Sequence, residues 1–248
     1  MPTMLTLLSK LPTAVSGWDG NAEDRKAEAA MFPNAVAEYA KLDRSLIHSG
    51  VAVNSKEGIA LLKDMQPDVV VCFGGPVYRQ AFIEACPMVL NYHSGVSPLY
   101  NGTASARFAF ANGHPHLCGG TLMKMSAVVD GGDLLGHFLP AIDERDTPAT
   151  LFMKTAHGAA TMYHGCLAHL EREGSNWAGL PQGRPLFYFR SADWTVHHGQ
   201  RVRAHLRAGR AGKFQRPERV LEYWRGRDKD SAQQVFEAAL TGLLLSKS

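Results

Sequence analysis

Residues 67–94 read PDVVVCFGGPVYRQAFIEACPMVLNYHS. The run Val69-Val70-Val71-Cys72-Phe73 is apolar, mostly β-branched and free of polar alternation. That is the pattern of a strand buried on both faces, as in a parallel sheet. Gly74-Gly75-Pro76 ends it, residues 79–86 make a short helix, and residues 87–92 (PMVLNY) supply a second buried strand. Strand, helix and strand on this scale fit an α/β sheet. Upstream, residues 56–65 place Ile59, Leu62 and Met65 at helical spacing, and Pro67-Asp68 closes that helix. Residues 27–42 lean to helix, interrupted at Pro33.

Downstream, residues 104–111 (ASARFAFA) predict a helix stopped by Asn112-Gly113. Residues 120–129 (GTLMKMSAVV) read as a strand, Asp130-Gly131-Gly132-Asp133 as a tight turn, and residues 134–139 as its partner strand. Residues 150–173 form the longest helical stretch, and residues 174–183, bearing Gly and Pro, read as a linker. A hairpin is expected over 185–198 and helices over 216–248. The division expected is a main domain over 1–180 and a small C-terminal hairpin and helical extension over 184–248.

Composition narrows the class. The chain has 248 residues, 45% hydrophobic and 20% charged, which is ordinary for a globular protein. It has no apolar run long enough to span a bilayer. Residues 1–15 carry only Lys10 as a charge and lack a small-residue cleavage pattern, so they do not read as a signal peptide. Cys72, Cys86, Cys118 and Cys166 are far apart and form no CxxC pair, which predicts reduced, buried thiols and a cytoplasmic protein. The net charge is +3, but residues 184–229 hold twelve Lys/Arg against four Asp/Glu. Such a basic segment suits either a solvated helical face or contact with phosphates.

The chemistry concentrates at Asn91-Tyr92-His93-Ser94. Asn91 and His93 are two apart at a strand end, so their side chains share one face. Ligands of open parallel sheets bind beyond the carboxyl ends of the strands. An amide and an imidazole there suit polarising a carbonyl and moving a proton. Residues 94–102 (SGVSPLYNG) follow as a polar loop, and the Gly120-Thr121 strand delivers Asp130 in VVDGGD. His114, His116 and Cys118 alternate like metal ligands, but Pro115 and Asn112-Gly113 make that stretch a loop with no fourth ligand, and no metal is expected. There is no Walker-type loop, so phosphoryl transfer is not supported.

In order, the series Asn-x-His, Pro-x-Tyr-x-Gly, a Gly-Thr strand and Asp-Gly-Gly resembles the folate-dependent formyltransferases, over residues 67–136. The resemblance implies a Rossmann-like, mostly parallel sheet flanked by helices, with N10-formyltetrahydrofolate as co-substrate. It places Asn91, His93 and Asp130 in the family's catalytic trio. It puts the folate against two loops, Gly75, Pro76, Val77 and Tyr78 after the first strand, and Ser126, Val128, Val129 and Gly131 around Asp130. From residues alone, Val128 and Val129 read equally well as sheet core. The family's Ser-Leu-Leu-Pro loop is replaced by Ser94-Gly95-Val96-Ser97-Pro98, a departure beside the site.

The implied partner is a small-molecule amine, with no membrane and no nucleic acid expected and a homodimer compatible with the family. Residues 4–20 lack the glycine-rich phosphate turn of glycinamide ribonucleotide enzymes, and only about 65 residues follow Gly183, short for the tRNA-binding domain of methionyl-tRNA enzymes. Residues 183–207 loosely resemble the extension of sugar-type members, which favours a nucleotide-linked amino sugar as acceptor. The alternatives are N-hydroxyornithine or a 10-formyltetrahydrofolate hydrolase.

Overall fold

The computed structural model describes residues 22–174 and 179–245, with side chains to residue 237. The readings of residues 1–20 lie outside the described residues. The helices α1 (Ala22–Met31), α2 (Ala35–Ala40) and α3 (Lys56–Met65) precede the first described strand. Then come β1 (Val70–Phe73), α4 (Gln80–Ile83), β2 (Val89–His93), β3 (Tyr100–Gly102), α5 (Ser105–Ala111), β4 (Gly120–Lys124), β5 (Leu134–Leu139) and α6 (Pro148–Glu173). The chain continues with β6 (Phe187–Phe189), α7 (Val196–Arg207), β7 (Arg219–Glu222) and α8 (Lys229–Leu245).

Five strands form one sheet in the order β1-β2-β4-β5-β7. The two unbroken apolar runs lie side by side as expected, β1 parallel to β2 with Val70 opposite Val89 and Phe73 opposite Tyr92. The expected α/β sheet flanked by helices is present, and its described part is mixed. β2·β4, β4·β5 and β5·β7 are antiparallel. Only a short connection joins β4 to β5, too short for a parallel crossover, so those two must run in opposite senses.

Alternation along β2 sorts its side chains. Leu90 and Tyr92 face α6 and pack with Leu122, Phe138, Met162, Cys166 and Trp224. The Tyr92 hydroxyl donates to the Thr155 carbonyl at 2.9 Å. Val89 packs on the other face with Leu62 of α3, Val70, Cys72, Phe82 and Cys86. Asn91 and His93 have the parity of Val89, so they belong to that face. α6 begins at a capping box in which the Thr147 side chain accepts from Thr150 N–H and Thr150 reaches back, with Pro148 in the first turn.

Three expectations are corrected. Residues 185–198 are not a hairpin. β6 instead pairs parallel with β3, with Tyr100 opposite Phe187, and α7 follows. The stretch after 216 opens with a strand, β7, which joins the main sheet beside β5. Both are too short to register as periodic patterns, and pairing with distant strands is what holds them extended. The strand expected over 120–129 ends at Lys124, and residues 125–133 leave the sheet as a loop. In consequence Val128 and Val129 are 69% and 40% exposed, which removes the sheet-core reading. Among the described residues, no helix is long and apolar enough to cross a membrane. All four cysteines are buried and unpaired, and burial pushes Cys118 up to about 12.

Candidate active site

β2 ends on His93, which is 7% exposed. Its Nε2 lies 3.0 Å from the Tyr100 carbonyl, an acceptor, so that nitrogen carries hydrogen in the satisfied tautomer. The Ser105 hydroxyl is a more distant neighbour at 3.4 Å. Its Nδ1 faces Asp130 Oδ1, also at 3.4 Å, in a contact that is almost dry because Asp130 too is nearly buried. The Tyr100 carbonyl thus meets one ring nitrogen, and the Asp130 carboxylate stands against the other.

Asp130 reaches His93 because its loop folds back. β4 runs antiparallel to β2, so its last residues lie beside the start of β2, where Met125 N–H donates to the Val89 carbonyl at 2.8 Å. From there the chain returns over the face of β2. The Asp130 backbone is left-handed at φ 52°, a region that costs a non-glycine residue about 1–2 kcal/mol and needs support from its surroundings. Support comes from three donors. Gly102 N–H donates to Asp130 Oδ2 at 2.9 Å, and the side-chain amides of Asn101 and Gln182 donate to the Asp130 carbonyl at 3.0 and 2.8 Å. Gly102, with φ 91°, must be glycine because a Cβ there would run into the Phe189 carbonyl of β6.

Asn91 sits one pleat repeat upstream of His93 on the same face, opposite Cys72 of β1 and Met123 of β4. The structure thus brings His93 and Asp130 into contact and puts half-buried Asn91 two residues from His93 on the same face of β2. The departure at Gly95 has a physical consequence here. A Cβ on residue 95 would collide with His93 Nε2, the Tyr100 carbonyl and the Ser105 hydroxyl. The imidazole is seated flush against the backbone in a way that any side chain at 95 would crowd.

The loop after His93 is fixed from below. The Thr121 hydroxyl donates to the Gly95 carbonyl at 2.6 Å and accepts from Ser97 N–H at 2.9 Å. His137 of β5 lies 2.8 Å from the Ser97 carbonyl through Nε2 and 2.6 Å from the Tyr223 hydroxyl through Nδ1. Burial lowers His137 to about 4, so it is neutral near pH 7. Nε2 then donates to Ser97, and Nδ1 accepts from Tyr223.

Of the residues expected to meet the folate, Gly75, Pro76 and Val77 are exposed beyond the end of β1, and Val77 is 65% exposed. Tyr78 is half-buried, donates to the Gly74 carbonyl at 3.0 Å and packs against Phe82. On the second loop, Ser126 donates to the Val128 carbonyl at 3.0 Å, and Gly131 N–H donates to the same oxygen at 3.0 Å. The two loops lie against one cluster, since Tyr78 and Met125 both pack on the group containing Cys72, Phe82 and Val89. Val77, Val128 and Val129 present exposed apolar surface on these loops, while the Val77 carbonyl accepts from the Asn54 amide at 2.9 Å and the Val128 carbonyl from Ser126 and Gly131.

His114 and His116 hold structural places. His114 bonds the Tyr100 hydroxyl at 2.8 Å, and His116 stacks on Phe214, with ring centroids 4.2 Å apart. Among the described residues no cluster of His, Cys, Asp or Glu is placed to hold a metal. Sequence reading missed the supports of Asp130. Asn101 and Gly102 stood in the quoted loop 94–102 without a role, and Gln182 lay in a stretch read as a linker. Its one signal was a polar amide beside Pro181.

Residues 11–167 match the family described as formyl transferase. A methionyl-tRNA formyltransferase of Koribacter versatilis is 33% identical over 131 residues, covering 52% of this chain and 41% of that protein. The chain thus spans less than half the length of this curated relative. Among solved structures, a 4-N formyltransferase from Francisella tularensis superposes with a TM-score of 0.54 at 12% identity, covering 73% of this chain and 83% of that one. The formyltransferase PseJ from Anoxybacillus kamchatkensis, solved with UDP-4,6-dideoxy-4-formamido-L-AltNAc and tetrahydrofolate, superposes with a TM-score of 0.50 at 14% identity, covering 74% of this chain and 94% of that one. At these identities the structural likeness speaks for the fold. With most of its length matched to one family, and with β1, β2, β4, β5, His93 and Asp130 inside the matched stretch, the chain belongs to the formyl transferase family.

Proposed function

We propose that this protein transfers a formyl group from N10-formyltetrahydrofolate to a primary amine of a small molecule, with a nucleotide-linked amino sugar as the acceptor. The observation that carries the reading is the nearly dry contact of His93 with Asp130 at the end of β2, inside the stretch matched to the family. When bound, the folate supplies a formyl carbon open to attack by the amine. The Asn91 amide donates to the formyl oxygen as negative charge grows there, a contribution worth about 100- to 1000-fold in rate for one such donor. His93 and Asp130 together take the proton that the attacking amine sheds and hold it for the leaving nitrogen. The loops of Gly75, Pro76, Val77 and Tyr78 and of Ser126, Val128, Val129 and Gly131 hold the folate through backbone polar groups and valine walls.

For the acceptor, support comes from the way residues 184–248 join the site. β6 lies directly against β3, whose Gly102 holds Asp130. The basic segment that begins at Arg184 is therefore tied to the catalytic end of the sheet. In this division of labour, residues 1–180 carry the chemistry and residues 184–248 recognise the acceptor. The ligand in the PseJ complex is a nucleotide-linked sugar, which favours the same class here.

The test is incubation with N10-formyltetrahydrofolate and a panel of amines, read by mass spectrometry for a product heavier by one CO unit. A formamide of the nucleotide-sugar and none of hydroxyornithine or methionyl-tRNA is the expected result. Formylation of either of the others alone would overturn the acceptor. Formate release with no amine consumed would mark a hydrolase.

A further inference from the structure

We infer that Gln182 is a positioning residue of the active site, acting through Asp130; the inference rests on the formyl-transfer reading above. Gln182 lies far along the chain from the catalytic segment, beyond α6. It is fixed there because Leu180 exchanges two backbone hydrogen bonds with Leu134, each 2.8 Å, which lays residues 180–182 beside the turn that precedes β5. From that place the Gln182 amide nitrogen donates to the Asp130 carbonyl at 2.8 Å and to the Gly132 carbonyl at 2.5 Å. These carbonyls flank the residue that follows Asp130, so one side chain spans the whole turn.

The turn needs such a clamp. Asp130 is left-handed, and its carboxylate must aim at His93 Nδ1 while its carbonyl points away. Asn101 donates to the same carbonyl from the other side at 3.0 Å. Two amides are thus committed to one oxygen. Both are left with a buried side-chain oxygen, Asn101 Oδ1 and Gln182 Oε1, that meets no donor among the described residues. A turn that only had to close a loop needs no such arrangement, because unpaired buried polar atoms oppose folding. The two amides make sense if what matters is the direction of the carboxylate. The Gln182 backbone is tied to β5 and Asn101 belongs to β3, so Asp130 is fixed from two independent elements.

The test uses Gln182→Glu, which keeps the shape but replaces the two donated hydrogens with a carboxylate facing two carbonyls, and Gln182→Ala as a second variant. Expected for both is a fall in kcat of about 10- to 100-fold, with KM for folate and amine nearly unchanged, because the misplacement affects the chemical step. In an Asp130→Asn background the same changes should add almost nothing, since their effect runs through that carboxylate. A second readout is independent of turnover: the ring 15N signals of His93 in the full chain, assigned by their loss in His93→Gln. Asp130→Asn shifts them, and Gln182→Glu should shift them in the same sense. Equal losses of kcat in both backgrounds, or His93 signals unmoved by either Gln182 variant, would overturn the inference. If the wild type formylates no amine, the functional reading fails, and the ring signals still decide whether Gln182 holds Asp130 against His93.

Discussion

His93 Nδ1 and Asp130 Oδ1 stand 3.4 Å apart, one at the end of a central strand and the other on a loop that has turned back across that strand. Neither position is set by its own neighbours in sequence. The imidazole is held by the Tyr100 carbonyl and the carboxylate by the Gly102 amide, so β3 aligns both partners at once. His93→Ala and Asp130→Ala should each lower kcat by about 100-fold or more, in the range for a lost acid–base group. The double variant should be little worse than the poorer single one, because the two act as a unit. Formamide production with circular dichroism as a folding control checks this, and additive losses would show two separate roles.

Much of this was legible in the residues. The apolar run 69–73 and the segment 87–92 announced β1 and β2 because a strand buried on both faces has no polar alternation to hide it. The spacing of Asn91 and His93 fixed their common face. What was not legible depends on contacts distant in sequence. Phe187–Phe189 is extended because it pairs with β3, and its ring Phe189 stacks on Phe108 with centroids 3.9 Å apart. Residues 125–133 carry strand-like valines but leave the sheet, and Gln182 matters only because Leu180 meets Leu134. No local pattern encodes a partner that the chain meets much later.

Gly95 tests how closely the imidazole is seated. Any Cβ at 95 meets His93 Nε2, the Tyr100 carbonyl and the Ser105 hydroxyl together. The backbone carbonyl cannot yield easily, so the ring must move. Gly95→Ala should cut kcat by about 10- to 100-fold while the protein remains folded. Steady-state kinetics beside a thermal melt would show it, and a wild-type kcat would mean the ring has room that the structure denies it.

Tyr223 links the C-terminal part to the loop under the site. Its hydroxyl satisfies Nδ1 of a buried neutral His137, whose other nitrogen holds the Ser97 carbonyl. Tyr223→Phe removes the donor and leaves a buried acceptor unpaired, which costs about 1–3 kcal/mol. The expected outcome is a lower urea midpoint with an unchanged m-value. An unchanged midpoint would show that the Tyr223–His137 bond contributes nothing to stability.

Stability should fall in mild acid for a reason that can be assigned. Burial, the largest cause in each case, lowers His137, His114 and His116 to about 4, from 6.5 in the unfolded chain. Nearby Arg210 adds to this for His114 and His116. Between those two values the unfolded chain binds protons that the folded chain refuses, so acid favours unfolding. Stability is fully present above about pH 6.5 and is lost as the pH drops from 6.5 toward 4, with a slope of up to about 1.4 kcal/mol per pH unit for each histidine. Asp24, raised by burial, works in the opposite sense as the pH falls from its raised value toward its ordinary 3.8, one carboxyl set against three histidines. Urea unfolding from pH 7.5 to 4.5 measures the slope, and His137→Gln should reduce it by about one proton. A midpoint that stays level across that range would mean that the three rings take up protons inside the fold as readily as outside it.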